Sequence, residues 1–120
     1  MFELSIKGDI ASAHFIPGYK GPCQNLHGHT WKVDVTVESR TLNSLGMVAD
    51  FADMKMKLKE FLKTIDHVCL NELPYFQNTP PTTENIAQYI YRNFSAEIKP
   101  LKIKHVEVWE SESASILYYE

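Results

Sequence analysis

From Trp31 to Glu38 the chain alternates strictly. Trp31, Val33, Val35 and Val37 are apolar, while Lys32, Asp34, Thr36 and Glu38 are polar. A period of two is the signature of a strand with one buried face. Strand patterns are predicted from about Phe2 to Phe15 and from Thr30 to Arg40. Between them runs Pro17-Gly18-Tyr19-Lys20-Gly21-Pro22. Its prolines and glycines exclude regular structure and place the loop near the surface. Asn43-Ser44-Leu45-Gly46 reads as a turn.

The period then changes. Phe51, Met54, Leu58, Phe61, Leu62 and Ile65 recur at steps of three and four, the stripe of an amphipathic helix. Asp50 can cap it and Asp53 adds negative charge to its first turn. Lys55, Lys57, Lys59 and Lys63 fall mostly off the stripe, as a solvated face requires. A less regular stretch, Asp66 to Pro81, follows. Pro80-Pro81 blocks helix, and Thr82 or Thr83 can cap the next one. Ile86, Ala87, Ile90, Tyr91 and Phe94 form its buried side, and Pro100 closes the region. Two last strand patterns span about Lys102 to Glu110 and Ala114 to Tyr119.

The order is β-β-α-α-β-β. Consecutive strand pairs predict antiparallel hairpins with both helices on one face, an α+β layer of four strands over a single domain, 1–120. A single four-stranded sheet leaves two edges open. Joining those edges between subunits closes a barrel, so a homo-oligomer is expected.

Composition narrows the function classes. The 120 residues are 44% hydrophobic and 22% charged, as in an ordinary globular domain. A net charge of −3 with no basic block argues against a nucleic-acid partner. No apolar run approaches the roughly 20 residues of a membrane span. The start, Met1-Phe2-Glu3-Leu4, lacks the features of a secretory signal. Cys23 and Cys69 are therefore expected as free thiols in the cytoplasm.

Extending the Trp31 parity backwards puts His27 and His29 on one face, with Gly28 turned away. A hairpin return brings His14 to the same place. Three neutral imidazoles with a fourth position open are the ligand set of a catalytic zinc. A lone strand histidine is more often packed or solvated; His14 and Cys23 beside the pair shift the reading to a metalloenzyme. Such a site needs a base. Cys23 is the first candidate, because neighbouring positive charge stabilises a thiolate, although a free Cys is commonly just a small packed residue. Asp66-His67 is the second, a carboxylate able to fix an imidazole's tautomer; adjacent residues need not bond, and without the metal cluster a polar helix end is the better reading. Glu110 is the third. It shares the buried parity of Val106 and Val108, where an acid asks for a partner. A carboxylate there can receive the amidine-like edge of a pterin, or simply stand solvated at a strand end. His105 and Cys69 have no such neighbours and no assigned role.

The constellation resembles a known family. Cys23-Gln24-Asn25-Leu26-His27-Gly28-His29 is similar to the Cys-x-x-x-His-Gly-His motif of the 6-pyruvoyl-tetrahydropterin synthase superfamily. Ser12-Ala13-His14, Gly46 to Phe51, Asp66-His67, Leu70-Asn71, Pro81 to Asn85 and Trp109-Glu110 continue the likeness in family order over nearly the whole chain. The three-residue gap after Cys23 resembles the 6-carboxy-tetrahydropterin synthases of the queuosine pathway. The resemblance implies the tunnelling fold, with subunits trimerising into barrels that often stack as hexamers. It implies zinc on His14, His27 and His29, Cys23 as base, and His67 oriented by Asp66 as a proton relay. It further implies Glu110 as pterin anchor and relay member, and Thr82, Thr83 and Glu84 near the pterin pocket. The implied substrate is 7,8-dihydroneopterin triphosphate, cut to a 6-carboxy-tetrahydropterin with release of acetaldehyde and triphosphate.

Two positions depart from the branch: Gln24 where Gly is frequent, and Ser111 where Thr is common. Both bear on pocket shape. The rivals are a pyruvoyl product from the same zinc site and a non-catalytic zinc- or pterin-binding module. An aldol cleavage ranks lower, because members catalysing it tend to carry Glu in place of Cys23.

Overall fold

The computed structural model describes residues 1–120. Its elements are β1 (Phe2–His14), β2 (His27–Ser39), α1 (Phe51–Leu62), α2 (Thr83–Phe94), β3 (Lys102–Ser111) and β4 (Ala114–Tyr118). The strands form one antiparallel sheet in the order β1-β2-β3-β4. The architecture is thus α+β with four strands and two helices, as the periodicities predict. No helix is long and apolar enough to cross a membrane.

Register places the inward residues. Ile10 lies opposite Trp31, Ser12 opposite His29, and His14 opposite His27. Even positions of β1 and odd positions of β2 therefore share one face. On β3, Ile103 and Val106 are both buried although three residues apart. The register shift between Thr36 and Val37 makes this possible, because a bulged residue resets the parity of a strand.

Both helices cover that face. Met54, Leu58 and Leu62 of α1, with Ile86, Ala87, Ile90 and Phe94 of α2, join the inward strand residues in one core of 21. Asp50 caps α1, accepting from the amides of Ala52 (2.7 Å) and Asp53 (3.3 Å). Thr82, rather than Thr83, caps α2, its Oγ1 accepting from the Asn85 amide. Gly8 lets α1 lie close on β1: a Cβ there would stand 2.7 Å from Leu62 Cδ1.

Several boundaries differ from the sequence expectation. β2 begins at His27, three residues before Thr30, so both histidines are held by the ladder. Phe15 lies just beyond β1 and Tyr119 just beyond β4. Phe51 does not belong to the apolar stripe; it is 63% exposed at the first position of α1, where the turn has not yet swung over the sheet. Ile65 is fully buried, but from the turn after the helix. Pro22–Gln24 forms a single 3-10 turn inside the Gly/Pro loop, with proline at its first position.

The stretch from Asp66 to Pro81 contains two more such turns and braces the end of β1. The His67 amide donates to Ala11 O (2.6 Å) and the Ala13 amide to Val68 O (2.9 Å). Asn71 then clamps Phe15, accepting from its amide (3.0 Å) and donating to its carbonyl (2.9 Å). His14 sits inside this brace.

Candidate active site

His14, His27 and His29 each present a ring nitrogen within 4.8 Å of the other two. His14 is buried and the other two are half-buried. Their second nitrogens fix the tautomers. His14 Nδ1–H donates to the Pro81 carbonyl at 2.7 Å, and His27 Nδ1–H to the Asn25 carbonyl at 2.7 Å. A carbonyl can only accept, so both rings carry a proton on Nδ1, and Nε2 is the nitrogen left to bind a metal. Those two Nε2 atoms face each other at 3.0 Å. His29 Nε2 is buried with no hydrogen bond; its nearest charged neighbour is Glu110 Oε1 at 3.2 Å. Burial pushes the His14 imidazole below its ordinary value, against the opposing pull of the Pro81 carbonyl. Three imidazoles with ring nitrogens this close together could hold a divalent metal ion.

Beside the imidazoles opens a cleft of about 310 Å³. It is lined by His14, Cys23, Thr82, Thr83, Glu84 and Glu110. Ile16 and Ile116 give it apolar walls, and Tyr19 reaches it from the Gly/Pro loop. Cys23 is a free, half-buried thiol. The Ile16 amide donates to its carbonyl (2.8 Å), continuing the β1–β2 hairpin far enough to carry the thiol to the cleft.

Glu110 closes the cleft from the end of β3. Its Oε2 accepts from Trp31 Nε1–H at 2.9 Å and from the Thr83 hydroxyl. The acid on a buried parity thus has its partners inside the fold. Thr82 and Thr83 spend their hydroxyls on the helix cap and on Glu110 respectively. Glu84 is exposed at the first turn of α2 and makes no hydrogen bond or ion pair.

Asp66 and His67 stand elsewhere in the single chain. Asp66 Oδ2 accepts from His67 Nδ1 at 2.8 Å, so the adjacent pair does bond. Asp66 Oδ1 accepts from the Ala11 amide at 2.8 Å. That amide, and secondarily His67, hold the Asp66 carboxyl below its ordinary value. His67 adopts φ 55°, which turns its ring out beside the edge of β1. Its side chain is 80% exposed and does not line the cleft of Cys23. It borders instead a shallow groove on the outer side of the sheet, shared with His29 and Cys69.

One site residue has no part in the sequence expectation. Trp31 is fully buried, packs against His29 with ring centroids 3.8 Å apart and planes tilted by 42°, and bonds Glu110. The available signal is an aromatic with a polar handle, two residues from a ligand on the same face. Its partner lies 79 residues away, beyond the reach of any local pattern.

The profile described as 6-pyruvoyl tetrahydropterin synthase matches residues 3–120. The 6-carboxy-5,6,7,8-tetrahydropterin synthase of Bacillus subtilis is 36% identical over 108 residues, covering 86% of this chain and 72% of that protein. The human 6-pyruvoyl tetrahydrobiopterin synthase is 35% identical over 102 residues, covering 82% and 70%. Among solved structures, 6-pyruvoyl tetrahydropterin synthase of Caenorhabditis elegans superposes with a TM-score of 0.88 at 22% identity, covering 99% of this chain and 95% of that one.

Proposed function

The chain belongs to the 6-pyruvoyl tetrahydropterin synthase family, and from that membership we propose that it converts 7,8-dihydroneopterin triphosphate and one water to 6-carboxy-5,6,7,8-tetrahydropterin, acetaldehyde and triphosphate. The observation that carries the reading is the convergence of three imidazole nitrogens beside a cleft that also holds Cys23 and Glu110. A pterin synthase needs those parts together: a metal for the side chain, a base, and an anchor for the ring.

In this reading His14, His27 and His29 hold zinc, which polarises the side-chain hydroxyls and acidifies the adjoining C–H bonds. Glu110 receives the polar edge of the pterin ring, and Glu84 stands free at the same rim for a second contact. Cys23 removes a proton from the side chain; Asp66 keeps His67 in the tautomer that can pass it on. Ile16 and Ile116 give the cleft its apolar walls, and the one water that the overall conversion consumes enters from its open side.

We further propose that subunits join through the edges of β1 and β4, as a trimer or a stacked pair of trimers. Asp66 and His67 sit beside the β1 edge, outside their own cleft, where a neighbouring subunit's cleft can receive them. The product separates the carboxy reading from the pyruvoyl one, which the human relative supports. Incubation with 7,8-dihydroneopterin triphosphate and mass spectrometry should give a carboxypterin and acetaldehyde. A pyruvoyl product would replace the first reading with the second, and no product would leave a binding module.

A further inference from the structure

The Trp31 indole joins the two halves of the site. Its Nε1–H points to Glu110 Oε2 at 2.9 Å and lies 3.3 Å from Thr83 Oγ1. The Thr83 hydroxyl donates to the same Oε2. One carboxylate oxygen thus takes two donors, from β2 and from the start of α2. The opposite duty falls to the indole ring. It packs on His29 at 3.8 Å and meets His14 edge-on at 4.6 Å.

Packing alone does not account for this arrangement. A Phe ring could also pack under the imidazoles, though it is smaller than an indole. An indole N–H is a donor only, and a buried one needs an acceptor. A carboxylate on a strand end turns freely about its last torsion, which has broad minima. Two donors on one oxygen remove that freedom and fix the carboxylate plane.

We propose that Trp31 and Thr83 are positioning residues for the ring-binding carboxylate. They fix the plane of Glu110, and Trp31 ties it to the imidazoles of His14 and His29, so the anchor and the metal ligands keep one spacing. The inference rests on the reading of Glu110 as the anchor of a pterin ring. A site held this way loses binding when an orienting donor goes, even where that donor, like Trp31, does not line the cleft.

Two measurements test it. In zinc-loaded protein, Trp31→Phe should keep stoichiometric metal, because the ring still packs on His29. Its Kd for neopterin should rise about tenfold, equivalent to ~1.4 kcal/mol. Thr83→Val should move Kd the same way, and Thr83→Ser, which restores the hydroxyl, should recover it. In turnover the change should fall on KM, with kcat within about threefold of the unmodified enzyme, as expected when ground-state and transition-state binding are lost alike. The second measurement needs no ligand. Of the two indole N–H resonances, the one absent in Trp31→Phe should move in Glu110→Gln, while that of Trp109 stays.

An unmoved Trp31 resonance overturns the proposal. So does an unchanged Kd in both Trp31→Phe and Thr83→Val when Glu110→Gln has lost neopterin. Failure of the unmodified protein to bind neopterin overturns the pterin reading and the positioning role with it. Should Trp31→Phe not fold, Thr83→Val and the Glu110→Gln resonance decide alone.

Discussion

His14 Nε2 and His27 Nε2 face each other at 3.0 Å, each with its Nδ1–H already given to a backbone carbonyl. Two lone pairs at that distance repel unless something electropositive lies between them. Burial depresses the basicity of His14, which disfavours a proton on its side of that contact. A metal ion suits better, since it also satisfies His29 Nε2, which has no hydrogen bond. His27→Ala should therefore lose zinc and activity together. A chelator should lower Tm and added zinc restore it, because a ligand at 100 times its Kd stabilises by about 2.7 kcal/mol. Stoichiometric zinc in His27→Ala, read by elemental analysis, would remove the triad.

Cys23 touches no metal ligand by hydrogen bond, yet it lines the same cleft as His14 and Glu110. Cys23→Ala should keep zinc and pterin binding while turnover falls about 10²–10⁴-fold, the usual worth of a general base. Single-turnover kinetics with the zinc content held equal checks this. A rate unchanged from the parent would exclude the thiol as base.

His67 is absent from the cleft of its own chain. If a neighbour's His67 completes each site, Cys23→Ala and His67→Ala should complement. Mixing the two inactive variants after dissociation should produce some sites with both groups intact. For a random trimer we expect about a quarter of the parent activity, from the product of two independent half-probabilities, at an effective two-subunit site. Mixed oligomers as inactive as either parent would show that both groups serve one chain.

The site was readable where it is built by local period and lost where distant strands build it. His27 and His29 follow from the parity of Trp31 to Val37, and the hairpin register then fixes His14 opposite His27. Glu110 follows from the parity of Val106 and Val108, but its donors come from β2 and α2, which no spacing announces. Thr83 lines the cleft and turns its hydroxyl to Glu110, a contact between distant elements that no local pattern announces. Asp66 and His67 are adjacent in sequence, but only the positive φ at His67 and the Ala11 amide show which way the pair points. Phe51 fitted the helical spacing and still faces solvent, since periodicity gives direction around an axis and not where burial begins.

Asp50 offers a control far from the chemistry. Its carboxylate accepts from the Ala52 and Asp53 amides and satisfies two of the open donors of α1. Asp50→Ala should cost about 1 kcal/mol of stability. Denaturant midpoints should fall while zinc content and kcat stay at parent values. A matching loss of activity at temperatures where the variant is folded would mean that α1 is coupled to the cleft.

Asp66 sets the last prediction through the sign of its shift. The Ala11 amide, and then His67, hold its folded-state carboxyl below the ordinary value. Folding therefore favours the ionised form. The contribution is fully present above the unfolded carboxylate value of about 3.9 and is lost as pH falls through the lower folded value. Asp66→Asn keeps an oxygen for the Ala11 amide but removes the charge. In zinc-free protein, which excludes acid-driven metal release, the variant should be less stable than the parent at neutral pH. The gap should narrow below about pH 4, where the parent alone has a favourable ionisation to lose. Since the side chain is about a third exposed, solvent screening keeps the neutral-pH difference modest. Denaturation curves that stay parallel from neutral to acid pH would show that the Asp66 charge does not stabilise the brace on β1.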